Sequence, residues 1–308
     1  MYNFVFLATI HFMKRLLFIL ITFSYNISLS AQSKALVFQS DFGLKDGAVS
    51  AMKGVAYGVS NELHLFDVTH EIPAYDIWEA AYRLNQAAPY WPAGTVFVSV
   101  VDPGVGSSRK SIVAKTKSGH YFVTPDNGTL TLIAESLGIT AVREIDETRN
   151  RRKNSSQSYT FHGRDVYAYT GARLAAGIIT FDEVGPALSS DLIRLPYQKP
   201  VFDNGTIQGT IDILDVQYGN IWSNIDQKTF DLLKVAAGDK VRVKILKLGK
   251  LVFEDDIIYG KTFADVPEGK SVAYMNSLLN FSLGINQGSF AEKFKIGSGS
   301  DWSIQVSR

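Results

Sequence analysis

Polar residues with chemical potential stand directly behind apolar runs at several points of this 308-residue chain. Asp41 follows Ala35-Leu36-Val37-Phe38-Gln39, Asp67 and His70 close the run that begins at Leu63, and Asp102 ends the stretch from Thr95 to Val101. A carboxylate behind a buried strand is costly unless it is paired or reaches solvent. Each is therefore a site candidate, although any one alone could be a turn former. Their recurrence behind three successive runs favours a shared polar site.

The densest signal is Val101-Asp102-Pro103-Gly104-Val105-Gly106. Its proline and glycines shape a tight turn that holds Asp102 at a sheet edge and lets backbone approach a ligand. Arg109, seven residues on, is near enough to return to Asp102. In Phe161-His162-Gly163-Arg164-Asp165 a histidine precedes a helix, well placed for proton transfer, and Asp165 is a candidate cap for that helix. Pro125-Asp126-Asn127-Gly128 makes a third polar turn. Other chemistries lack their signatures: there is no Walker sequence and no G-x-G-x-x-G fingerprint, and the kinase-like Asp41-Phe42-Gly43 stands in the wrong order relative to His162. Asp41, Asp46, His70, Asp102 and His162 form a conceivable ligand set for a divalent ion, but without a recognised ligand spacing.

The elements that must position these residues are legible as alternating patterns. Strand-like runs at Ala35–Gln39, Leu63–Val68 and Thr95–Val101 alternate with helical stretches. Asp46 can cap a first helix through Met52, Val55 and Tyr57, and a second runs from Asp76 to Ala88, where Pro89 and Pro92 stop it. This order predicts an α/β N-terminal domain with a largely parallel sheet covered on both faces. From Tyr197 onward, strand-like segments at Gly205–Leu214, Lys240–Leu246 and Lys250–Phe253 lack helices between them, predicting a smaller antiparallel β domain that is barrel-like. The expected division is residues 1–31 as a signal peptide, 32–196 as the α/β domain and 197–308 as the β-rich domain.

Residues 1–31 carry Lys14 and Arg15, then the apolar run Leu16 to Phe23, then a small-residue exit at Ser28-Leu29-Ser30-Ala31. That pattern predicts export to the periplasm or beyond, and the run is too short for a membrane span. Removing it takes away two positive charges and no negative ones, so the formal charge moves from +1 to −1. A near-neutral chain gives no electrostatic case for nucleic acid. With no cysteine in the chain, disulfides, thiolate metal sites and cysteine nucleophiles are excluded.

Together these segments resemble the SAM hydroxide adenosyltransferase family, relatives of the SAM-dependent fluorinase and chlorinase. The likeness is carried by Ser40-Asp41-Phe42-Gly43 with Asp46, Asp67-Val68-Thr69-His70-Glu71-Ile72-Pro73, Pro89 to Thr95, Val101 to Gly106, Pro125 to Gly128 and Thr160 to Asp165. Asp215 to Asn220 and Asn276-Ser277 extend it into the second domain, where the glycine and glutamate usual after Asn-Ser are replaced around Leu278 to Ser282. The resemblance implies a homotrimer with S-adenosylmethionine (SAM) held between the N-terminal domain of one subunit and the C-terminal domain of the next. It implies a catalytic Asp102, Arg109 and His162, with Asp41 on the ribose hydroxyls and Asp46, Asp215, Asn220 and Ser277 also contacting substrate. The implied reaction is attack of water at C5′, releasing adenosine and methionine without a metal or other cofactor. By the same resemblance, halogenases lack the Arg-His pair, since a halide needs no deprotonation; its presence favours water. A SAM-dependent halogenase and a non-catalytic nucleoside- or SAM-binding envelope protein are the alternatives.

Overall fold

The computed structural model describes residues 33–308, so the expected signal segment lies outside the described residues. The N-terminal domain contains β1 (Ala35–Ser40), α1 (Ala48–Val59), β2 (His64–Thr69), α2 (Ile77–Ala87), β3 (Val96–Val100), β4 (Ser111–Thr116) and β5 (Tyr121–Pro125). It continues through α3 (Thr131–Ser136), β6 (Ile139–Glu144), α4 (Glu147–Asn150), a π-helical turn (Gly163–Ala168), α5 (Tyr169–Ala175) and β7 (Ala187–Leu188).

Its seven strands form one sheet in the order β2-β1-β3-β5-β4-β6-β7. The β2-β1-β3-β5 part is parallel, while β4, β6 and β7 join antiparallel. Successive side chains of a strand go to opposite faces, and both faces here are covered. Leu36 and Phe38 of β1 pack with Met52 and Ala56 of α1 and Ala172 of α5, whereas Val37 packs with Leu84 of α2. That two-sided burial is why the strands read as unbroken apolar runs. Asp76 caps α2, its side chain accepting from the Glu79 amide at 2.8 Å.

Chain direction matters for the site. From β1 the chain leaves through α1 to β2 on one side, and β3 lies on the other side of β1. The carboxyl ends of β1 and β3 therefore flank a topological switch point, where open α/β sheets form their binding crevice.

The C-terminal domain contains β8 (Val201–Asp203), β9 (Thr206–Asp215), β10 (Asn220–Asp226), β11 (Lys240–Lys247), β12 (Lys250–Tyr259), β13 (Ser271–Met275), β14 (Asn280–Ile285) and β15 (Trp302–Ser307). Because β9 pairs with both β15 and β10, seven strands close into a barrel, with β8 added to β9 at one edge. Every pairing is antiparallel except β12 with β13. The barrel is filled by Ile207, Ile211, Val243, Phe281, Phe290 and their neighbours. Helix α2 ties the domains together: the Trp78 indole donates to the Asp212 carbonyl at 2.9 Å and Arg83 to the Leu214 carbonyl at 2.8 Å. Among the described residues no helix is long and apolar enough to cross a membrane.

Candidate active site

The turns after β1 and β3 meet a third segment, Thr160–Gly163, around a cavity of about 270 Å3. Asp41, Asp102 and His162 all line it, with Phe42, Val105 and Phe161 as its apolar wall. The Asp41 Oδ2 accepts from the Tyr75 amide at 2.9 Å. Tyr75 adopts a left-handed backbone (φ 70°), uncommon for a residue with a side chain.

Arg109 does return to Asp102, and the two form an ion pair with side chains only 10% and 5% exposed. The guanidinium also donates to the Tyr167 hydroxyl at 2.6 Å and to the Lys110 carbonyl at 3.1 Å. Burial pushes the Asp102 carboxyl above its usual range; Arg109 and the Gly104 amide pull the other way, and nearby Asp41 adds to the rise. The Asp102 Oδ1 and the Arg109 Nε are buried without a partner, a costly state that a ligand can relieve.

His162 is buried at the start of the π-helical turn. Its Nε2 lies 3.0 Å from an Arg151 Nη2, while its Nδ1 is buried with no partner. Arg151 is itself fixed by Glu147 at 2.8 Å and lies over the Tyr159 ring, 4.5 Å from its centroid. Burial lowers the His162 pKa, an effect that Glu147 and Asp165 oppose and that Arg151 and Arg109 reinforce. Single π-helical turns recur at functional sites because they re-aim side chains within a helix. Asp165 does not cap this turn. It sits inside it, fully buried, and is neutralised by Arg152 and Arg164 at 2.7 Å each.

The remaining candidates divide. Asp215, Asn220 and Ser277 line a second cavity of about 880 Å3 at the barrel, where Asn220 donates to Asp215 at 2.9 Å. The two cavities share no lining residue. Asp46 reaches neither: it is exposed and accepts from the Ala48 amide at 2.9 Å, steadying the start of α1. Asp67 and His70 form a supporting chain, with Lys53 on Asp67 and the other face of His70 on Ser40 at 2.7 Å. Asn127 donates to the Val101 carbonyl at 2.9 Å and so braces the Asp102 turn. Among the described residues no three His, Asp or Glu side chains are grouped to hold a metal ion.

Two participants escaped sequence reasoning. Arg151 stands in the basic run Arg149-Asn150-Arg151-Arg152, which reads as a solvated surface, and Tyr167 reads as one more core residue. A polar residue surrounded by apolar periodicity was the only available hint for Tyr167.

The family model of the SAM hydroxide adenosyltransferase N-terminal domain matches residues 36–185, and that of the C-terminal domain matches residues 209–303. The chain belongs to the SAM hydroxide adenosyltransferase family. Within it, the chain is 34% identical over 272 residues to the (R)-S-adenosyl-L-methionine hydrolase of Salinispora arenicola, covering 87% of this chain and 97% of that one. It is 46% identical over 143 residues to the enzyme of that name from Methanocaldococcus jannaschii, a match spanning 45% of this chain and about half (52%) of that protein's length. A fluorinase from an Actinoplanes species is 29% identical, covering 86% of this chain and 95% of its own. Among solved structures, an uncharacterized conserved protein from Thermotoga maritima superimposes with a TM-score of 0.82 at 35% identity, covering 89% of this chain and all of that one.

Proposed function

We propose that the protein hydrolyses SAM to adenosine and methionine by in-line attack of water at C5′. The observation that carries this reading is the convergence of Asp41, Asp102 and His162 on one cavity, with Arg109 bound to Asp102 behind it. A sulfonium leaves readily as a neutral thioether, so the protein need only hold a water in line with the C5′–S bond and manage its proton. Arg109 steadies charge developing on the attacking oxygen, and Asp102 and His162 are the groups available to its proton. Asp41 has the chemistry to hold a ribose diol. No step requires a metal, because the substrate carries its own positive charge.

The large second cavity fits the remainder of the substrate, with Asp215, Asn220 and Ser277 as contacts. We take the two separately lined cavities as halves of a SAM site completed between the first cavity of one copy and the second of its neighbour in a homotrimer, the assembly that the family resemblance implies. Exposed apolar residues at both rims, Tyr75 and Val105 at one and Val216 and Tyr218 at the other, favour that assembly. Export directed by residues 1–31 is part of the proposal, and signal cleavage near Ala31 in secreted material would test it.

The deciding experiment incubates the protein with SAM in chloride-containing buffer, with and without EDTA, and identifies products by liquid chromatography and mass spectrometry. Adenosine plus methionine, absent with His162→Ala, is the expected result. A 5′-chloro product would assign a halogenase, loss of turnover with EDTA a metal enzyme, and intact SAM would overturn the catalytic reading.

A further inference from the structure

Arg151 belongs to the site although neither the sequence nor the family likeness assigns it a role, and its contact decides what His162 can do. A guanidinium remains protonated and has only donors. Its 3.0 Å contact with the His162 Nε2 therefore runs from Arg151 to the ring. The nitrogen that accepts it cannot carry a proton, so a neutral imidazole here keeps its proton on Nδ1. Nδ1 is the ring nitrogen left buried and without a partner beside the cavity.

We propose that Arg151 is a positioning residue that holds His162 as the Nδ1–H tautomer, making it a hydrogen-bond donor to the attacking oxygen rather than the base that deprotonates it. The inference rests on the hydrolase reading for its chemistry, though the tautomer itself does not. To accept a proton, His162 would have to become a cation beside Arg151 and Arg109, with Glu147 and Asp165 as the acidic groups around it. The proton acceptor is then Asp102, whose Oδ1 is buried and unpartnered. In the step so assigned, a water oxygen held by His162 Nδ1–H forms a bond to C5′ and the C5′–S bond breaks with its electron pair on sulfur. One water proton passes to Asp102 and then to solvent, so SAM and water yield methionine, adenosine and one proton.

Arg151 is built to hold this position. Its side chain is 8% exposed, Glu147 takes its charge one helical turn away, and the Tyr159 ring lies against its plane. A lysine could still donate to Nε2, whereas a glutamine could present either its oxygen or its amide and would leave both tautomers open.

The tautomer is read without substrate, by solid-state 13C–15N correlation on protein labelled at the histidine rings. Nδ1 is bonded to Cγ and Nε2 to Cδ2, and His162→Asn identifies the signals. The expected result is a protonated Nδ1 and a bare Nε2 in the wild type and in Arg151→Lys, and a mixture in Arg151→Gln. In SAM turnover, Arg151→Gln should lose about 100-fold in kcat, the lower range for a proton-handling group, with KM little changed. His162 itself should take its second proton at higher pH in Arg151→Gln, because removing a neighbouring cation lets the ring charge more readily, a shift read from the same ring signals over a pH series. Arg151→Lys should restore most of the rate and the original histidine titration. A protonated Nε2 in the wild type overturns the inference whatever the activity. A fixed Nδ1–H with no turnover of SAM upholds the tautomer and sinks the hydrolase reading instead. Folded Arg151→Gln protein with wild-type kcat would overturn the catalytic role of the contact.

Discussion

At the scale of single residues, the Asp102–Arg109 pair sets both chemistry and stability. Two opposite charges at 5% and 10% exposure have each given up water, and what each recovers depends on the other. Removing one leaves the other buried and uncompensated. Arg109→Ala should therefore destabilise the fold by about 3–5 kcal/mol, as breaking buried pairs does, and cost activity about 100- to 1,000-fold through loss of charge stabilisation. Asp102→Asn should cost as much activity, since the amide accepts no proton, but less stability, because the asparagine oxygen can still take a hydrogen bond from Arg109. Denaturant midpoints with turnover assays measure both. If Arg109→Ala unfolded at the wild-type midpoint, the pair would not be a coupled buried unit. Asp102 also fixes a sign for pH. Burial raises its carboxyl, so it stays protonated to higher pH than an ordinary carboxylate. The acceptor form therefore appears, and activity rises, as pH passes upward through that raised value.

At the scale of elements, the π-helical turn and α5 work because two positions have no side chain. A Cβ on Gly171 would stand 2.5 Å from the Val98 Cγ2, so α5 lies as close to β3 as backbone allows. A Cβ on Gly163 would meet the Phe42 ring at 3.1 Å and the Met52 sulfur at 3.3 Å, contacts that a small shift of Phe42 relieves. Gly171→Ala should lose about 1–3 kcal/mol by overpacking, visible in thermal unfolding. Gly163→Ala should instead move Phe42 in the cavity wall and raise KM for SAM, with a smaller stability loss. Equal stability losses and an unchanged KM would refute the division. These elements also mark what the sequence made legible. The β-α-β-α-β opening was readable because β1 and β3 are apolar on both faces and α2 carries its own cap and stop. The antiparallel pairing of β5 with β4, β4 with β6 and β6 with β7 was not, because an apolar run looks the same whichever way its partner points. Nor was the π-helical turn, since one inserted residue barely disturbs a helical pattern. The site followed the same rule: Asp41, Asp102 and Arg109 stand where strand ends must place them, while Arg151 reaches His162 only through a loop path that periodicity does not encode.

At the scale of the whole molecule, the junction between the domains carries a charge that the fold resists. Asp212, on β9, lines an interdomain cavity of about 650 Å3 beside Trp78 and Tyr197, and its side chain receives a single hydrogen bond, from Thr210 at 2.8 Å. Burial pushes its carboxyl up to about 7. The folded state therefore holds this proton between about pH 4 and 7, where the unfolded chain has released it. A fold that binds more protons than its unfolded state loses stability as pH rises through that window and is flat above it. At about 1.4 kcal/mol per pH decade, the loss is at most roughly 4 kcal/mol by pH 8. Because Trp78 donates to the Asp212 backbone carbonyl and Arg83 to Leu214, strain at this point bears on the seam where α2 meets the barrel. Asp212→Asn keeps the shape and an acceptor for Thr210 while removing the titration. The variant should match the wild type in thermal stability at pH 4 and below and exceed it at pH 8, with the difference growing between about pH 4 and 7. A gain of the same size at both pH values would mean that the carboxyl is not titrating against the fold, and that water entering the cavity carries its charge.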